Sequence, residues 1–119
     1  MRIVETANQM ETLSEWRNAR VQLWLYHVTH CRMALSLSRV GEREALYVLA
    51  AGCRRVSGPL QWENADISIL GLPPEMGIRA TKRIIDAGAG FELWCSDIAV
   101  AIGDAVVPCD PFEDLLEQG

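Results

Sequence analysis

The sequence predicts an α+β domain, an antiparallel sheet carrying one N-terminal helix, on three observations. Residues 6–18 repeat apolar side chains at helical spacing, residues 21–37 alternate with a period of two, and several later segments alternate in the same way between Gly- and Pro-containing breaks. Successive strands joined by short turns favour antiparallel pairing over parallel crossovers. The expected architecture is a mostly meandering antiparallel sheet of about five to seven strands. The N-terminal helix packs across it and a short C-terminal helix covers an edge or an end.

In the first segment Met10, Leu13 and Trp16 recur every three residues with Ala7 on the same side. A capping box at Thr6 with Gln9, or at Thr12 with Glu15, would start the helix. From Val21 to Leu37 the odd positions are mainly apolar. Seventeen residues exceed an ordinary strand, so a hairpin is expected with its bend near Val28–His30. Val40-Gly41-Glu42 then turns the chain into a third strand from about Glu44 to Arg55. Ser57-Gly58-Pro59 opens a loop containing Gln61-Trp62-Glu63-Asn64, and alternation returns at Asp66–Leu70.

Beyond Gly71-Leu72-Pro73-Pro74, the placement of Pro74, Glu75 and Gly88 frames a helix over 75–87. Gly77 weakens that helix, and Arg83–Asp86 also reads as a short strand; the helix is preferred. Phe91–Cys95 and Ile98–Val107 read as two strands, with Ser96-Asp97 as a tight turn between them. Asp110, Pro111 and Glu113 begin a short final helix that would dock through Phe112, Leu115 and Leu116.

The chain has 119 residues, half of them hydrophobic and 23% charged, which fits a single domain over residues 1–119 with an ordinary globular balance. The polar N-terminal segment and the lack of a ~20-residue apolar run point to a cytoplasmic protein without a membrane span. Four cysteines, at 31, 53, 95 and 109, fit neither a CxxC pair nor a dense disulfide framework, and they read as reduced core residues. Residues 84–119 hold eight acids and no Lys or Arg, whereas the first 83 hold eight acids and all eleven bases. An acidic last third argues against a nucleic-acid partner and favours a protein with a basic surface, or the chain itself as a homodimer.

Chemistry-bearing residues concentrate in His27-Val28-Thr29-His30-Cys31. A three-residue bend would make His27 and Cys31 cross-strand neighbours and leave His30 in the turn. Imidazole nitrogen and thiolate sulfur suit zinc or copper, with Cys53 the nearest further ligand in sequence. The competing reading is a half-buried histidine and a core cysteine at a hairpin end. Asp86-Ala-Gly-Ala-Gly90 lacks the spacing of a phosphate-binding loop and reads as a turn, so no cofactor is implied.

On the expected 75–87 helix, Arg79, Lys82 and Arg83 would share a face able to hold an anion. Trp62 and Glu63 in their polar loop, and Trp24 and Tyr26 with Val28 on the less apolar face of the first long strand, are candidate interaction residues. No nucleophile–base motif stands out. The leading expectation is therefore a non-enzymatic interaction module, with self-association as one version of it. A metal- or thiol-dependent site at His27, His30 and Cys31, and a small-molecule pocket between helix and sheet, are the alternatives.

Overall fold

A computed structural model describes residues 2–27, 29–72 and 80–105. Those residues form ten strands and one short α-helix. The chain is mostly antiparallel β-sheet, arranged in two sheets where one was expected. The larger sheet has the order β1 (Arg2–Val4), β10 (Asp97–Asp104), β4 (Glu44–Ala51), β3 (Arg32–Ser38), β2 (Arg20–His27) and β6 (Gln61–Trp62). The smaller has the order β5 (Arg55–Ser57), β9 (Phe91–Cys95), β8 (Lys82–Asp86) and β7 (Ser68–Gly71). Two runs meander, β2–β3–β4 and β7–β8–β9, but the sheets exchange chain between them.

The core lies between the sheets. Val21, Met33, Leu35, Leu37, Leu46, Val48 and Val100 from the larger sheet meet Ile84, Phe91, Leu93 and Cys95 from the smaller. Period-two alternation sends these residues to one face of each strand. A 3-10 turn at Thr6–Asn8 leads into α1 (Gln9–Glu15), and Leu13 and Trp16 join the same core. Met10 stays exposed instead of completing the stripe, and its sulfur accepts the Ile69 N–H at 3.3 Å. Gln9 is buried in its place and donates to the Ile98 carbonyl at 3.4 Å.

The division into two sheets escaped the sequence because β5 is short and β8 lay inside an expected helix, although Phe91–Cys95 and the alternation that becomes β7 were expected. The third long strand ends at Ala51, not Arg55. Gly52 turns with φ +66° and carries the chain from the larger sheet to β5. Ser96 is the return crossing between β9 and β10 rather than a hairpin turn within one sheet. The two crossings clasp each other. Ser96 N–H donates to Ala51 O at 3.0 Å, and a Cβ on Gly52 would lie 1.8 Å from Ser96 Oγ. Glycine is required there by both conformation and space.

The expected helix at 75–87 is replaced over its second half by β8. Ile84 and Asp86 point inward there and Arg83 outward beside Trp94, a period of two that helical caps do not reveal. The first half of that segment and the expected C-terminal helix lie outside the described residues.

Candidate functional site

The two ends of the sandwich differ. One end gathers residues 16–19, 39–43, 63–67 and 87–90. Its centre is Asp86, buried at the end of β8. The carboxylate accepts Trp62 Nε1–H at 2.7 Å, Asp66 N–H at 2.9 Å and Ala89 N–H at 3.2 Å. Three donors satisfy a charge that burial would otherwise penalise. Trp62 also stacks on Phe91, with ring centroids 4.7 Å apart, so it closes the core and is no exposed anchor. Glu63 pairs with Arg20 at 3.6 Å, Arg17 with Asp66 at 3.5 Å and Arg39 with Glu42 at 2.9 Å. The sequence showed the Asp86–Gly90 turn but gave no sign that the Asp86 side chain would be its internal hub.

The opposite end gathers the β2–β3 connection, the β4–β5 crossing, the start of β8 and the β9–β10 crossing. Here the hairpin differs from expectation. His27 pairs in register with Arg32, and Cys31 lies in the turn itself with φ +50°. His27 and His30 meet edge to face with centroids 6.2 Å apart. Cys53, expected only as a distant fourth ligand, is beside the hairpin: its N–H donates to the Cys31 carbonyl at 2.9 Å. No group of three or more His, Cys, Asp or Glu among the described residues is arranged to hold a metal ion. Burial pushes the Cys53 thiol up to about 11, and burial pushes Cys95 up to about 12. Both are protonated at neutral pH.

A register shift in β2 between Leu23 and Leu25 separates two residues expected on one face. Before it, Leu23 faces the core opposite Leu35; after it, Tyr26 lies opposite the core residue Met33. Trp24 is sent to the other face, where its ring packs edge-on against Tyr47 at 6.1 Å. A bulge adds one residue and so inverts facing beyond it. Val28 lies outside the described residues.

Tyr26 is 49% exposed, and with Met33, Cys53, Arg54, Arg55, Val56 and Leu93 it lines a cleft of about 100 Å³ between the sheets. The cleft exists because the sandwich is closed unevenly. On one side α1 lies against β7 and beside β10. On the other, β6 pairs with Val21 and Gln22, the Leu23 N–H still reaches Leu60 O at 2.8 Å, and among the described residues no strand pairs with β2 beyond that point on that side. β5 pairs only with β9 among the described residues. Val56 (46% exposed) and Leu60 (69%) mark the same flank.

Its charge is positive. Arg55 lies 5.2 Å over the Trp94 ring, and no ion pair among the described residues involves Arg54 or Arg55. Of the expected basic triplet, Arg79 lies outside the described residues. Lys82 and Arg83, adjacent on a strand, point to opposite faces. Arg83 is engaged with Glu92 at 3.3 Å. The Glu92 carboxyl is held below its ordinary range first by the Trp94 indole N–H, donated at 2.6 Å, and then by Arg83, against the opposing effect of burial.

Fold and site together describe a two-sheet antiparallel β protein with one self-satisfied end and one flank left open. Comparison with protein-family models, curated proteins and solved structures finds no match, so the site is read on its own geometry.

Proposed function

We propose that the protein is a non-enzymatic interaction module that takes an extended polypeptide segment along the open flank between β2 and β5. The observation that supports this most is the grouping of Tyr26, Val56 and Leu60, all exposed, where β2 has no further strand partner on that side among the described residues. An unpaired edge offers main-chain hydrogen bonds to an added strand, and neighbouring pockets select its side chains. Arg54 and Arg55 favour a segment carrying carboxylates beside apolar residues.

This reverses the charge expected of the partner. Among the acids of the last third, Asp86 is consumed internally and Glu92 is bonded to Arg83 and Trp94. Asp97 and Asp104 are exposed, and the remaining four lie outside the described residues. A homodimer through the same flank is the competing occupant, since two open edges can pair with each other.

The test is selection from a displayed library of extended peptides, repeated with Tyr26→Ser, Val56→Ser and Arg54→Ala/Arg55→Ala. The reading expects enriched sequences to combine acidic and apolar residues and to lose binding at least tenfold in each variant. Enrichment that ignores all three variants would contradict it. Sedimentation at high concentration distinguishes the homodimer, which Tyr26→Ser would dissociate.

A further inference from the structure

Three of the four cysteines meet at the open end, and the backbones of two of them, Cys31 and Cys53, are joined by a hydrogen bond. Arg32 pairs with Ala51, yet one step further the Cys53 N–H, not that of Gly52, bonds to the Cys31 carbonyl at 2.9 Å. Gly52, at φ +66°, turns the chain just past the end of β4, so that Cys53 and not Gly52 reaches the Cys31 turn. A direct backbone N–H···O=C bond brings the two residues close, as a disulfide requires of its Cα atoms (about 4.4–6.8 Å). Cys31 and Cys53 are both half-buried and so reachable by a small reagent, whereas Cys95 is fully buried.

We propose that Cys31 and Cys53 form an oxidative modification site, joined by an intramolecular disulfide when the protein meets a hydroperoxide. The Cys31 thiolate attacks the O–O bond, which breaks to give a sulfenic acid and release water or an alcohol. The Cys53 thiol then loses its proton as its sulfur attacks the Cys31 sulfur; the S–S bond forms, the S–O bond breaks and water leaves. Two thiols give up two electrons and the hydroperoxide takes both. Cys53, whose thiol burial holds protonated, is the second partner, and Cys31, in the turn that joins β2 to β3, is the first. The bond ties the β2–β3 connection to the β4–β5 crossing at the mouth of the cleft, and it holds whatever the cleft binds.

The experiment treats the reduced full chain with hydrogen peroxide, alkylates it in denaturant and maps the cysteines by mass spectrometry. The expected product has lost the mass of two hydrogens and yields a Cys31–Cys53 linked peptide. In Cys53→Ser the oxidised Cys31 is trapped by a sulfenic-acid reagent, and in Cys31→Ser Cys53 is still alkylated. Linkage of Cys53 to Cys95 or Cys109, covalent dimers, or full alkylation of both thiols after oxidation would overturn the proposal. The wild-type map decides the matter even where a variant folds poorly.

Discussion

At the end built from residues 16–19, 39–43, 63–67 and 87–90, polar groups are answered within the molecule. Asp86 meets three donors, and Arg17, Arg20 and Arg39 each meet a carboxylate. At the opposite end a tyrosine and a valine stay half-exposed, Arg54 and Arg55 lack ion pairs among the described residues, and the Cys53 N–H bonds to the Cys31 carbonyl. The same antiparallel strands run between them, so fold class does not explain the difference. What differs is the work of the loops: at one end they carry stabilising hydrogen bonds, and at the other they exchange chain between sheets and leave an opening. On the proposed reading, stability and recognition fall at opposite ends.

Mutations can break or sharpen that contrast. Asp86→Ala should have the largest effect, about 3 kcal/mol or more by urea denaturation, because it strands three donors around a buried site. Asp86→Asn should recover part of the loss. Gly52→Ala should cost about 2 kcal/mol, since it adds a Cβ against Ser96 at a left-handed position. Arg39→Ala should cost about 1 kcal/mol, because the guanidinium lies 4.0 Å over Trp16 and also bonds to Glu15 O and Glu42. Tyr26→Ser and Val56→Ser should change the unfolding free energy least, by about 0.5 kcal/mol or less, as expected of half-exposed side chains.

The open end should also set the alkaline limit. Cys53 and Cys95 have folded values raised to about 11 and about 12 from an ordinary 9.0, so the unfolded chain releases these protons first. Their contribution is intact below pH 9 and is lost as pH rises through the folded values. Cys95→Ala should flatten the decline in stability measured between pH 9 and 11. Glu92 works in the opposite sense: its lowered value adds stability above the ordinary glutamate range, and that stability is lost as pH falls through the folded value.

Much of the larger sheet was legible. The alternation of residues 21–37 and the hairpin near His30 became β2 and β3, and the strand expected from Ile98 became β10; in the smaller sheet, Phe91–Cys95 became β9. The division into two sheets was not, because β5 has only three residues, too few for a period to register, and nothing local marks Gly52 and Ser96 as crossings between sheets. At 75–87, Pro74 and Gly88 read as helix caps and outweigh the short strand that Arg83–Asp86 also suggests, which the pairing of Arg83 and Ile84 with Trp94 and Leu93 realises as part of β8. For the site, the His27–Cys31 region and Tyr26 were visible as residue types. Their grouping with Cys53 and Arg55 depends on a crossing at Gly52 and a bulge at Trp24, both set by tertiary packing.

The most direct test of the docking flank is amide chemical-shift mapping with a peptide selected for acidic and apolar residues. The account predicts shifts in residues 24–27 of β2 and 54–57 around β5, with residues 17–18, 63–66 and 86–88 unmoved. Shifts centred on the Asp86 end, or no perturbation at β2 and β5, would contradict it.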